Sequence, residues 1–256
     1  MQWQYTPYFI PLILSFSVAS AVGIIAWQRR KAAGAIPLAL LMVAVAVWQL
    51  AYALQLSGAD FRTQFFWVRF RYLGIVWLSP LLLLFALQYT GRLRWSKQRR
   101  LLVWLALEPV VILVLVWTNA RHGLFWPQAT AHIHEGVLVW SRTHGIIFWL
   151  HFVYSYALIG AGIVLLVLEF WRTCRGYRWQ LGLLLWGSLM PIVGNLISSF
   201  SWNPFPYLDL TPFGFTLSGL CMLWSLYGFG LLDVVPLARD MIVDGLQDGI
   251  VLLDQR

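Results

Sequence analysis

The chain has 256 residues, of which 60% are hydrophobic and 11% charged, with 16 tryptophans and a formal net charge of +8. A soluble domain carries roughly a quarter charged residues, so this composition excludes one and leaves the bilayer as the solvent. The cations are divided among several short segments, which argues against a nucleic-acid-binding face and fits attraction to anionic lipid headgroups.

Seven windows nearly free of charge follow one another along the chain: 1–28, 32–59, 72–91, 101–120 (broken only by Glu108), 145–168, 179–208 and 210–232. One helical crossing needs about 20 consecutive apolar residues, and every window is that long. In hydrocarbon each backbone group must be bonded internally, which makes such runs helices. The expected fold is an all-α membrane protein, a seven-helix transmembrane bundle.

The gaps orient the bundle. Arg29, Arg30 and Lys31 follow the first window, Arg92, Arg94, Lys97, Arg99 and Arg100 the third, and Arg172, Arg175 and Arg178 the fifth. The opposite gaps hold only Arg62, Arg121 and Arg142. The positive-inside rule places the larger set in the cytoplasm, with the N-terminus outside and the C-terminus inside. Many tryptophans, among them Trp3, Trp27, Trp117, Trp171 and Trp179, fall near window ends, where an aromatic belt is expected. The first window lacks a basic leader and a small-residue cleavage site, so it is read as a retained helix. Cys174 and Cys221 fall in different compartments and imply no disulfide.

Only the connection 119–144 is longer than joining two helices requires. Its segment 131–140 alternates around Glu135-Gly136, which predicts a small hairpin over the outer mouth of the bundle. The sixth window contains Gly187, Pro191, Gly194 and Asn195; Pro191 removes a backbone bond and predicts a kink. The fifth carries Gly160-Ala161-Gly162, small residues that let helices approach closely. After Asp233 and Pro236, the residues Val235, Ala238, Ile242 and Leu246 form one apolar stripe at helical spacing. Asp248-Gly249 reads as a turn, and 250–253 as the start of a strand. The expected division is 1–234 as the membrane domain and 235–256 as a cytoplasmic linker helix with the first strand of a further domain.

The order of several motifs carries a resemblance. Trp67-Val-Arg-Phe-Arg-Tyr-Leu-Gly74 with Pro80 is followed by Tyr89-Thr-Gly91, Glu108-Pro109, Thr118-Asn119, His122-Gly-Leu124 and His151-Phe-Val-Tyr154. Gly194-Asn195, Asp209-Leu-Thr-Pro212 and Leu231-Leu-Asp-Val-Val-Pro236 complete the set. The membrane part resembles the seven-transmembrane N-terminal sensory region found ahead of PAS, histidine-kinase or diguanylate-cyclase modules in bacteria. The tail Asp248-Gly-Ile-Val-Leu-Leu-Asp254 resembles the opening of a PAS domain. The resemblance implies a receptor that reports an extracellular or in-membrane stimulus to a cytoplasmic output module, as part of a two-component or cyclase system. This chain is then not itself an enzyme, and it sits as a multi-pass protein in the cytoplasmic (inner) membrane.

Buried ionisable groups are expensive in a bilayer and are therefore paired or functional. Polar side chains recur in the outer halves of the spans, which nominates Arg69, His151, Tyr154, Asn195 and Asp209 as lining a pocket for a small or lipidic ligand. Arg71 lies about 200° around the helix from Arg69 and is expected to reach toward headgroups. Glu108 lies about 10 Å into the fourth span, at 1.5 Å per residue.

All five histidines, His122, His132, His134, His144 and His151, fall near the outer face. His132 and His134 with Glu135 offer metal-ligand chemistry, against the plainer reading of interfacial polar residues. No catalytic residue and no cofactor is expected. A retinal protein needs a lysine in its last span, and the only lysines are Lys31 and Lys97. The expected partners are membrane lipids, the unknown ligand and a second copy as a homodimer. A small-solute transporter built on the broken sixth span, or a membrane scaffold, is the alternative.

Overall fold

A computed structural model describes residues 3–93, 98–134, 137–173, 178–199 and 208–228. The chain runs as α1 (Phe9–Gln28), α2 (Ala35–Leu56), α3 (Phe61–Tyr89), α4 (Gln98–Trp117), a single turn α5 (Asn119–His122), β1 (Ala129–His134), β2 (Val137–Arg142), α6 (Ile146–Arg172), α7 (Arg178–Ser199) and α8 (Thr211–Gly228). Six of these, α1 to α4, α6 and α7, are long and apolar enough to cross a membrane. The seventh apolar window, 210–232, begins with α8 and continues past the described residues. The tail 235–256, with its expected linker helix and strand, also lies outside them.

The third helix starts earlier than its apolar window. Its true start is set by Asp60, whose carboxylate accepts hydrogen bonds from the Thr63 amide at 2.9 Å and the Thr63 hydroxyl at 2.6 Å. That side-chain cap satisfies the first turn, so the helix begins at Phe61, ahead of the charge-free window that opens at residue 72. The cations between these positions conceal the start from a reading based on charge-free length. Arg69 and Arg71 consequently sit well inside the helix.

α2 packs between α1 and α3, α8 packs on α7 and α1, and α6 lies along α3. Close approach depends on glycine at two seams. A Cβ at Gly74 would lie 2.2 Å from the Ala44 carbonyl oxygen, so α2 and α3 touch backbone to backbone there. A Cβ at Gly214 would lie 2.7 Å from the Met190 carbonyl oxygen, which places α8 directly against α7 at Pro191. The main core joins Val22, Leu38, Val45, Phe85 and Leu166 from α1, α2, α3 and α6. Outward faces remain apolar: Leu14, Trp104, Val114, Val153 and Val164 are exposed, as a lipid-facing surface requires.

Two ends can be told apart. One carries the loops with Arg29, Arg30, Lys31, Arg92 and Arg172, together with exposed Trp27, Trp171 and Trp179. The other carries the antiparallel ribbon β1–β2, with Ala131 opposite Trp140 and His134 opposite Val137. The expected hairpin is therefore present, its tip 135–136 lying outside the described residues. Phe125 and Trp126 anchor it. Their rings meet Tyr72 edge-on at 5.2 and 5.4 Å and pack with Val68, Val76, Ile112 and Val116.

Candidate functional site

The polar groups of the bundle's interior concentrate at the hairpin end, around the first turn of α8. The Asp209 carboxylate accepts from the Thr211 amide at 3.0 Å and the Thr211 hydroxyl at 2.6 Å, which fixes where the helix begins. The Asp209 amide donates to the Tyr52 hydroxyl on α2 at 2.8 Å. Asn195 on α7 donates to the Thr211 hydroxyl oxygen at 3.3 Å and accepts from Tyr156 of α6 at 2.7 Å. Gln49 of α2 donates to the Pro212 carbonyl at 3.0 Å, and the Thr216 hydroxyl meets that of Ser15 on α1. Four helices, α1, α2, α7 and, through Asn195, α6, thus converge through hydrogen bonds on the start of α8.

Arg71 of α3 extends into this core. Its exposure is 4%, it donates from Nη1 to the Gln55 Oε1 at 3.1 Å, and its guanidinium lies 5.6 Å from the centre of the Tyr52 ring. The expectation that Arg71 reaches to headgroups is corrected: α3 packs against α2 on this side, so the side chain faces Gln55 and Tyr52 in the interior. Arg69 takes the more open position. It lies 3.9 Å over the Phe65 ring, with its buried Nε lacking a hydrogen-bond partner.

A second polar joint ties α4 to α6. Pro109 has no N–H, so the Leu105 carbonyl one turn earlier loses its helical donor. The Tyr154 hydroxyl takes that place at 3.4 Å. One turn before Tyr154, His151 Nδ1 meets Glu108 Oε1 at 2.6 Å, buried between the two helices. Glu108-Pro109 and the His151/Tyr154 pair are therefore complementary halves of one contact.

The five nominated residues fall in three places. Asn195 and Asp209 meet through Thr211; His151 and Tyr154 belong to the α4–α6 joint; Arg69 contacts neither set. The sequence reading passed over Tyr52, Gln55, Tyr156 and Thr211, because single polar residues at scattered positions carry no spacing signal. For the metal candidates, Glu135 lies outside the described residues, and the ribbon register pairs His132 with Val139 and His134 with Val137. Among the described residues, no group of three metal-ligating side chains gathers. A separate apolar cleft of about 420 Å3 lies between α2, α3 and α4, lined by Val47, Leu73, Trp77 and Leu105 among others.

Two other histidines hold the hairpin in place. His122 Nδ1 accepts from the Leu124 amide at 3.0 Å, which requires that nitrogen to be unprotonated, while Nε2 lies 3.3 Å from the Thr118 hydroxyl. His144 stacks on Phe148 with ring centres 3.9 Å apart. Desolvation by those apolar neighbours, and then the charge of Arg142, push the His144 pKa down to about 4. A depressed imidazole opposes proton uptake by the folded state, so its contribution is lost as pH falls from about 6.5 toward 4. His144→Phe is expected to leave the thermal midpoint at pH 7 near wild type and to flatten its fall across that window. An unchanged pH profile in the variant would contradict this.

The model of the family described as the N-terminal 7TM region of histidine kinase matches residues 11–236. No curated protein matches the chain. With nearly its whole length covered, the chain belongs to that family, as a multi-pass membrane protein.

Proposed function

We propose that this chain is a membrane sensor domain that reads a stimulus at its hairpin end and passes it along α8 to a cytoplasmic histidine-kinase or diguanylate-cyclase module. The observation that carries this reading is the convergence on Asp209–Pro212. The helix that leads to the C-terminal side of the chain is hydrogen-bonded, over its first two turns and the residues just before them, to α1, α2 and α7, and through Asn195 to Tyr156 of α6. Any ligand that reorganises those bonds moves the helix that would transmit the signal. Asn195 and Asp209 are the proposed sensing residues. Arg69, His151 and Tyr154 modulate the response by setting how α3, α4 and α6 pack beside them.

The hairpin end faces outward in this proposal, since the cationic loops gather at the opposite end, and the host is the inner membrane. The sensor works as a homodimer through its tail helices, and lipid contacts the exposed apolar faces. The energy needed is small, because moving a two-state equilibrium from 1:99 to 99:1 takes about 5.5 kcal/mol of differential binding.

Asn195→Ala and Tyr156→Phe, tested in the chain joined to a kinase module, should alter autophosphorylation while membrane insertion stays normal. Val193→Ala, two residues from Asn195 on the exposed face of α7, serves as the control. Wild-type output from both core variants at equal expression would overturn the reading.

A further inference from the structure

The hairpin-end core contains a charge, that of Arg71, with no ion-pair partner among the described residues. A guanidinium carries five N–H donors and no acceptor. Arg71 uses one of them on the neutral Gln55 side chain, and its Nε is buried with no hydrogen-bond partner. Among the described residues, no carboxylate comes within ion-pair distance of it. Asp209 lies within electrostatic reach, but its Oδ1 is already committed to the Thr211 amide and hydroxyl. A second cation, Arg142 at the end of β2, also acts on Arg71 electrostatically. Arg142 is itself held 5.9 Å from the centre of the Trp126 ring. Buried Arg71 and half-buried Arg142 thus lie within electrostatic reach of each other, and the described carboxylate in reach of Arg71, Asp209, has its Oδ1 occupied by Thr211.

Holding a charge out of water costs several kcal/mol unless it is paired and its remaining donors are satisfied. Packing that keeps an arginine in this position, when an aliphatic side chain would fill the same space without the cost, implies a partner of opposite charge. We infer that the hairpin end of the bundle binds one oxyanion group, a carboxylate or a phosphate, between Arg71 and Arg142. The planar fork of arginine suits both groups through paired N–H bonds. A neutral polar ligand would satisfy donors but leave the charge. A soluble metabolite and a lipid headgroup both carry such an oxyanion, and the chemistry is the same for either source. Its capture draws Arg71 on the Tyr52 and Gln55 side of the core, and Tyr52 holds the Asp209 amide at the start of α8.

This inference names the ligand class for the site proposed above and rests on that reading for its signalling consequence alone; binding is measured without any output module. The chain is purified in maltoside micelles and its thermal midpoint followed during titration with sodium phosphate, sodium succinate or a short-chain phosphatidylglycerol, against sodium chloride at matched ionic strength. A saturable rise is expected with at least one probe. Phosphate or succinate identifies a soluble source, and phosphatidylglycerol alone a headgroup. Arg71→Gln should weaken the apparent affinity about thirtyfold or more, the loss expected when one partner of a buried charge pair is removed. Arg142→Gln, on the ribbon rather than in the helical core, should weaken it severalfold and decides the matter if Arg71→Gln fails to fold. No saturable rise with any probe, or unchanged affinity in Arg142→Gln, overturns the inference.

Discussion

Replacing His151 with alanine is expected to destabilise the bundle by about 2 kcal/mol, because it leaves the half-buried Glu108 carboxylate without its hydrogen-bond partner. Glu108 sits in the middle of α4, and its Oε1 meets His151 at 2.6 Å while its buried Oε2 has no partner. After the substitution the whole carboxylate is unpaired between two helices. Replacing both residues with leucine should recover most of the loss, since a well-packed apolar pair avoids the desolvation cost altogether. Chemical unfolding in micelles, followed by circular dichroism, reads both variants. A change within about 0.5 kcal/mol for His151→Ala, the range of ordinary surface substitutions, would show that Glu108 finds another partner.

Asn119→Ala is expected to have a comparable effect for a different reason. The Asn119 Oδ1 accepts from the amides of Phe125 and Trp126 at 3.0 and 3.1 Å, and its Nδ2 donates to the Trp126 carbonyl at 3.0 Å. Phe125 and Trp126 are almost completely buried, so alanine leaves three backbone groups without that partner in a place where water is excluded. Each buried unsatisfied group costs about 1–3 kcal/mol, and the total is about 3 kcal/mol or more. Asn119→Asp keeps the acceptor for both amides and should lose much less. Equal losses in the two variants would contradict a role set by the two accepted bonds.

What the sequence made legible, and what it did not, follows from the kind of signal each feature leaves. Long charge-free runs reveal the helices because hydrocarbon forces helical bonding, and the alternation around Glu135-Gly136 reveals the ribbon. The charge-free window falls short of α3 because Arg62, Arg69 and Arg71 interrupt the apolar run, while the Asp60 cap that sets the helix start is a local contact. The reversal of Arg69 and Arg71 has another origin: both are arginines two positions apart, and only the packing of α3 against α2 decides which one is interior. Asn195 and Asp209 stood out as polar residues in apolar surroundings. Their connection through Thr211, Tyr52 and Tyr156 joins positions up to 157 residues apart in the chain, and nothing local to either end announces it. The Glu108-Pro109 dipeptide and the His151/Tyr154 spacing were each visible, but their complementarity requires α4 and α6 to be neighbours.

The account makes α8 the element that carries the signal, and a phase test addresses this directly. One to four alanines are inserted after Pro236 in the chain joined to a kinase module, and autophosphorylation is measured for each length. A helix that transmits rotation or register should give output that rises and falls with a period of about 3.6 residues. Output that is indifferent to the number of inserted residues would make the segment a passive tether and contradict the account.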